Sequence, residues 1–66
     1  MKANKKVVQL AMARACLSRR ELAEKAGIPE PTLQRVINHR SVRPATLGKV
    51  ARALGVDPLE IMEQEE

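Results

Sequence analysis

The stretch at residues 18–38 constrains the fold most strongly, because it holds signals for both the start and the end of a helix. Ser18 followed three residues later by Glu21 is a capping box, which predicts that a helix begins there. Gly27 is expected to end that helix, because glycine adopts the left-handed cap conformation at little cost. We expect the next side chain, Ile28, to fold back onto the helix.

Two prolines place the start of another helix directly after this turn. Pro29 and Pro31 suit a first helical turn but not a helix interior, so this helix should begin at residues 29–31 and run to Asn38. Its apolar residues recur at spacings of three and four and should face the core: Leu33, Val36 and Ile37. The opposite face holds Glu30, Pro31, Gln34, Arg35 and Asn38.

The polar face of this helix carries the groups that recognise base edges in DNA. Arginine pairs with guanine, glutamine with adenine, a carboxylate accepts from the cytosine amino group, and an apolar surface fits the thymine methyl. A solvated helix face on a small protein is more commonly built from Lys, Glu and Ala. An ordinary polar surface is the alternative interpretation of these five residues.

The rest of the chain predicts three further helices and no strand. Residues 1–5 should be frayed, and a first helix should span residues 6–16 with Val8, Ala11, Met12 and Ala15 toward the core. A fourth helix should begin at Pro44 or Ala45 and bury Leu47, Val50, Ala51 and Leu54. Its interior glycine, Gly48, costs about 1 kcal/mol relative to alanine, which close packing against a neighbour or a partner chain would explain, as would simple tolerance.

The end of the chain predicts a last short helix. Gly55 should end the fourth helix, and Val56 should fold back onto it. Asp57, Pro58 and Glu60 occupy the N-cap, N1 and N3 positions of a new helix, in which we expect Leu59, Ile61 and Met62 to be buried. The predicted fold class is therefore all-α, with five helices in a single domain over residues 1–66.

Charge is distributed unevenly along the chain. All twelve Lys and Arg lie at or before Arg52, whereas only three acids precede Asp57. A basic body of this kind is typical of proteins that bind polyanions. The acidic tail at residues 63–66 is expected to be solvated and frayed.

The remaining polar residues do not predict an enzyme, a cofactor site or a metal site. The single cysteine, Cys16, cannot form an internal disulfide or a cysteine-based metal cluster, and we expect it to be a small buried hydrophobe in a reducing compartment. The only histidine, His39, should be a surface turn residue or a phosphate contact. Gln9 and Arg14 interrupt the first apolar run, so we expect neither a secretory signal nor a membrane span.

The segments LSRRELAEKAGIPEPTLQRVI and RPATLGKVARALGVDPLEI resemble the helix-turn-helix domain of the lambda-repressor and Cro-like family, also called the xenobiotic-response-element family. The resemblance extends over residues 8–62. It implies a compact five-helix bundle with its helix-turn-helix motif at residues 19–38. It also implies sequence-specific binding to operator DNA, with the third helix in the major groove, and usually a homodimer.

The resemblance also assigns roles to residues by their position in the family motif. The expected base-contacting residues are Glu30, Pro31, Gln34 and Arg35, and the expected phosphate-contacting residues are Arg19, Asn38, Arg40 and Arg43. The dimer is expected to form through Thr46, Pro58 and Leu59. Because phosphates would repel Glu30, it should either accept from cytosine or be held by Arg19.

This sequence also departs from the family pattern. The two prolines are unusual at the start of a recognition helix. Met12 and Ile37 stand where some members carry a buried Arg–Glu pair, and packed apolar groups can replace such a pair without loss of stability. Ala45 stands where some members place a basic residue in the minor groove, so minor-groove recognition would fall to Arg43.

These features together predict a cytoplasmic bacterial or phage transcriptional regulator, a repressor that binds a palindromic operator as a homodimer. Its half-sites should lie about 34 Å apart, one turn of DNA. We expect no separate dimerisation domain, so the free dimer should be weak. Two alternatives remain: an antitoxin with autoregulatory DNA binding and a toxin as its main partner, and a helical adaptor that binds only protein.

Overall fold

The computed structural model describes residues 1–63, and the secondary structure in this range is helical. The five helices are α1 (Lys5–Ala15), α2 (Arg19–Ala26), α3 (Glu30–Ile37), α4 (Pro44–Leu54) and α5 (Pro58–Ile61). The all-α prediction is therefore confirmed. The predicted helix boundaries agree with these to within about a residue.

Local hydrogen bonds explain where three of the helices begin. The Ser18 hydroxyl accepts from the Glu21 N–H at 3.2 Å, and a Glu21 carboxylate oxygen accepts from the Ser18 N–H at 3.1 Å, so the predicted capping box is present. Asn4 and Asp57 cap α1 and α5 in the same way, through side-chain oxygens that accept from backbone N–H groups. The Ser18 N–H, with a smaller contribution from its hydroxyl, holds the pKa of Glu21 below its ordinary value.

Four helices end in the same left-handed turn. The turn residues have positive φ: Cys16 (55°), Gly27 (71°), His39 (62°) and Gly55 (72°). In each turn the next N–H donates to the carbonyl five residues earlier, from Leu17 to Met12, Ile28 to Ala23, Arg40 to Arg35 and Val56 to Ala51. The two glycine turns were predicted from the sequence. The turn at Cys16 was not predicted, and His39 was expected to be a turn residue but without a positive φ, because residues with a Cβ seldom adopt this conformation.

The core collects one apolar stripe from each of the four longer helices. The fully buried large side chains are Val8, Leu22, Leu33, Val36, Leu47, Val50 and Ile61. Met12 and Ile37 are also buried, 9% and 6% exposed, so apolar packing occupies the positions of the ion pair found in some relatives. The burial predicted for α3 and α4 is confirmed, and α2 buries Leu22 and Ala23 with Ala26 half-buried.

Three predictions of burial were wrong. Cys16 is exposed because it forms the turn that ends α1, and Leu17 packs against the core after it. Ala15 is exposed because it lies in the last turn of α1, where the chain leaves the helix. Leu59 is 63% exposed, because α5 has a single turn with Ile61 facing inward, and residues two apart on a helix point in nearly opposite directions.

The prediction of a frayed segment at residues 1–5 was also wrong. Ala3 is fully buried and forms an antiparallel bridge with Met62. The Asn4 N–H donates to the Ile61 carbonyl at 2.7 Å, and the Glu63 N–H donates to the Lys2 carbonyl at 2.8 Å. We call the paired segments 1–4 and 61–63 the terminal clasp. Glu63 is therefore held rather than frayed, while the rest of the predicted acidic tail, residues 64–66, lies outside the described residues.

This packing determines which face of α3 is covered. α2 packs against α3 and α4, and α1 packs against α3, α4 and α5. Leu33, Val36 and Ile37 turn inward toward these neighbours. The opposite side of α3 is left uncovered.

Candidate nucleic-acid interface

The start of α3 is built by its two prolines. Pro29 is extended, with φ −64° and ψ 147°, and its carbonyl accepts from the N–H groups of Thr32 and Leu33 at 3.0 and 3.1 Å. Pro31 occupies the first turn, where a missing N–H costs nothing because that position has no partner within the helix. Gly27 has already ended α2, and the two prolines make α3 a separate short helix directly after that turn.

The outer face of α3 is polar and open to solvent. Its exposed residues are Glu30, Pro31, Gln34, Arg35 and Asn38. The buried residues Leu33, Val36 and Ile37 are 1%, 0% and 6% exposed, so the division of α3 predicted from the sequence is confirmed. The side chains that were expected to contact bases and phosphates all point away from the protein, and their roles in binding remain predictions.

Two shallow grooves run along this face, and Arg35 lies between them. The first is lined by Pro31, Gln34, Arg35, Asn38, Arg40 and Ser41. The second is lined by Thr32, Arg35, Ser41, Val42, Arg43 and Thr46. The structure therefore brings together three of the four predicted base-contacting residues and three of the four predicted phosphate-contacting residues.

The arginines on this side carry charge that the protein does not neutralise. Among residues 1–63, Arg20 and Glu24 form an ion pair at 3.6 Å on α2, and the His39 ring forms a hydrogen bond with the Glu63 carboxylate. Arg35, Arg40 and Arg43 take part in neither pair, and all three side chains are exposed. Against these three arginines the outer face carries the exposed carboxylate of Glu30, so positive charge prevails and the face can attract a polyanion.

Two of the predicted contact residues line neither groove. Arg19 is the first residue of α2 and is exposed, and Glu30 is the first residue of α3. Within the described range, no ion pair joins Arg19 to Glu30, so the predicted bracing of Glu30 by Arg19 is not present in the free protein.

The predicted dimer residues do not line one common groove. Thr46 is half-buried and lines the second groove beside Arg43. Pro58 and Leu59 are exposed on α5, where Leu59 borders a separate depression with Asn4 and Glu60. Their role in a dimer stays a prediction.

Sequence reasoning gave no role to Ser41, which lines both grooves. The sequence did contain a signal, since Ser41 stands in the loop between Arg40 and Arg43. Its hydroxyl is 3.5 Å from the Met1 nitrogen, which also donates to the Val42 carbonyl at 3.1 Å. This loop is thus held by the N-terminal segment, a contact between residues about forty positions apart.

Other kinds of site have no support in the described residues. Over residues 1–63, no three His, Cys, Asp or Glu side chains lie close enough together to hold a metal ion. None of the five helices is both long and apolar enough to cross a bilayer.

Comparisons with known proteins identify the chain at the level of its family. The family model described as helix-turn-helix matches residues 10–61, which is most of the chain. Neither the comparison with curated proteins nor the comparison with solved structures gave a significant match.

Proposed function

We propose that this chain is a transcriptional repressor that recognises a palindromic operator as a homodimer. The premise is that the chain belongs to the lambda-repressor-like helix-turn-helix family of DNA-binding regulators. The observation that carries this proposal is the outer face of α3, where Arg35 lies exposed between two grooves. An α-helix with such a face fits the major groove of B-DNA.

In the proposed complex the outer residues of α3 meet base edges. Arg35 is our first candidate for a bidentate contact with guanine, which is worth about 1–3 kcal/mol of discrimination. Gln34 lines the first groove with Arg35, where an amide can pair with adenine or contact a phosphate. Pro31 offers an apolar surface to a thymine methyl, and Glu30 accepts from a cytosine amino group.

Phosphate contacts would flank these base contacts. Arg40, Arg43 and Asn38 lie along the two grooves, and Arg19 stands at the start of α2, where the helix N-terminus also favours an anion. Contacts of this kind set the affinity and the register without reading the sequence.

The proposed homodimer would join two copies through α5 and the start of α4. Leu59 is a large apolar side chain that is 63% exposed, so an interface that covered it would bury surface that the monomer leaves in water. One copy extends 32 Å along its longest axis. Two copies placed on half-sites about 34 Å apart can therefore touch. The regulator would act in the cytoplasm of a bacterium or in a phage-infected cell.

Selection of bound duplexes from a random pool tests this proposal. A consensus made of two inverted half-sites would support a dimeric operator-binding protein. A consensus with a single half-site would contradict the dimer, and equal binding to all duplexes without a steep salt dependence would favour the protein-only adaptor. Co-expression with the flanking genes that recovers a small toxic protein would favour the antitoxin instead.

A further inference from the structure

The end of α3 differs from the three other helix ends that share its left-handed turn. The residue after each of the other turns is apolar and packs against the core: Leu17, Ile28 and Val56. The matching residue after α3 is Arg40, which is exposed. The position directly after this turn therefore lacks the apolar anchor that the other helix ends have there, and the loop packs on the core only two residues later, through Val42.

The terminal clasp supplies other anchors to this loop. The Val42 N–H donates to the Met1 carbonyl at 2.7 Å, and the Val42 carbonyl accepts from the Met1 nitrogen at 3.1 Å. His39 Nε2 lies 2.5 Å from a carboxylate oxygen of Glu63. The loop is thus held at two points, at His39 directly before Arg40 and at Val42 directly before Arg43.

The clasp can hold the loop because it is itself fixed to the rest of the fold. Ala3 is fully buried, and Asn4 both caps α1 and pairs with the Ile61 carbonyl. Glu63 donates its N–H to Lys2, so its backbone is fixed on one side while its carboxylate reaches His39 on the other. The terminal clasp therefore connects the loop to α1 and α5.

We propose that Glu63 is a positioning residue for DNA binding: through His39, it holds the loop at residues 39–43 so that Arg40 and Arg43 are oriented for phosphate contacts before DNA arrives. The inference rests on the proposed function. The positioning role predicts that the Glu63 carboxylate raises the affinity for DNA, which is opposite in sign to the effect expected from charge repulsion alone. A carboxylate near a polyanion site should weaken binding by repulsion, whereas a carboxylate that orients two arginines should strengthen it.

The sign of the effect can be measured with single and double substitutions. Fluorescence anisotropy at fixed salt would measure the affinity of three variants for the selected palindromic duplex: Glu63→Ala, His39→Asn and the double variant. Asparagine is chosen at position 39 because it tolerates the positive φ of His39. We expect each single change to weaken binding about two- to five-fold, the range for an exposed pair, and the double variant to be no weaker than either single one.

Two controls separate positioning from charge and from folding. Glu24→Ala removes an exposed acid from α2 that lies outside both the clasp and the proposed dimer interface, so it should leave binding unchanged or strengthen it slightly. Glu63→Gln should restore most of the lost affinity, because the neutral amide can still accept from His39. Urea unfolding of each variant would show that the protein is folded under the binding conditions, so that the measured change is one of affinity.

The outcomes distinguish this inference from the proposed function itself. If the unmodified protein shows no preference for any palindromic duplex, the operator-binding proposal is wrong. If it binds but Glu63→Ala binds as well or better, the positioning role is wrong and operator binding stands. Additive losses of affinity in the double variant would also overturn the positioning role, because they would mean that His39 contacts DNA independently of Glu63.

Discussion

Replacing Arg40 with alanine tests the assignment of phosphate and base contacts most directly. Arg40 is exposed, forms no ion pair among the described residues and lines the first groove beside Arg35. A phosphate contact contributes affinity on every DNA sequence, whereas a base contact contributes only where its base is present. Arg40→Ala and Arg35→Ala should therefore weaken binding in different ways.

The size of the effect follows from the number of unpaired arginines. Arg19, Arg40 and Arg43 in two copies give about six phosphate contacts, which predicts a slope of about −5 for log K against log salt concentration. Affinity should then fall by roughly three orders of magnitude between about 50 and 200 mM salt. Arg40→Ala removes two of the six contacts per dimer, so its slope should lose about a third of its magnitude and be about −3.5. Arg35→Ala should leave the slope nearly unchanged and relax preference at one base pair per half-site by about 1–3 kcal/mol.

Binding isotherms at several salt concentrations, on the selected duplex and on its single-base variants, measure both quantities. Arg52→Ala is the matched control, because it removes the same charge from a different groove, lined with Lys25 and Lys49. Its slope should equal that of the unmodified protein. The reasoning is refuted if Arg40→Ala leaves the slope unchanged, if Arg52→Ala changes it equally, or if Arg35→Ala weakens all sequences alike.

Further predictions concern stability and assembly. Gly48→Ala should raise the free energy of unfolding by about 1 kcal/mol, because an added Cβ meets no atom within 4 Å; a lower thermal midpoint would contradict this. Ser18→Ala should lower the free energy of unfolding, measured by urea titration, by about 1 kcal/mol, because α2 loses its cap. The lowered pKa of Glu21 means that its carboxylate stabilises the fold above its unfolded pKa and stops doing so as pH falls through the folded pKa. The stability difference between the unmodified protein and Glu21→Gln should therefore vanish in acid. A stability difference that did not depend on pH would exclude the ionised Glu21 carboxylate as its cause. Leu59→Glu should leave the monomer as stable as before, because Leu59 is 63% exposed, but should weaken operator binding and self-association in sedimentation experiments; unchanged self-association would place the dimer interface elsewhere.

The structure tests one of the sequence-based explanations of Gly48, close packing against a neighbour within the chain. Within the described residues nothing packs closely against this glycine, so close packing inside the chain does not account for it. Simple tolerance of glycine in the helix remains the explanation within the monomer. Because the space beside Gly48 is open, the methyl group of alanine would cause no clash. Replacement with alanine is then expected to stabilise the fold, since alanine reduces the conformational entropy of the unfolded chain.

The candidate site was largely predictable because its signals are local. The capping box of α2 spans four residues, Gly27 ends that helix, and the spacing of Leu33, Val36 and Ile37 determines which side of α3 is buried. Each signal acts between residues at most four or five positions apart, where chain geometry fixes the contact. Once that side is buried, Arg35 and its polar neighbours must face outward.

The wrong predictions concern residues whose environment depends on distant parts of the chain. Residues 1–5 carry no strong helix or strand signal, and only the arrival of Met62 and Val42 gives them partners. Cys16 is a typical buried residue by type, but the direction of the chain after α1 leaves it in solvent. His39 and Glu63 are 24 positions apart, and nothing in either local sequence predicts their pairing.

By itself, the sequence determined the helices, their caps and the outward face of α3, since these follow from backbone preferences and side-chain periodicity within single turns. Only the tertiary structure decided that the two ends of the chain pair with each other and support the loop after α3. That pairing forms because the folded core brings segments about forty to sixty positions apart within hydrogen-bonding distance, at an entropic cost that no local pattern records.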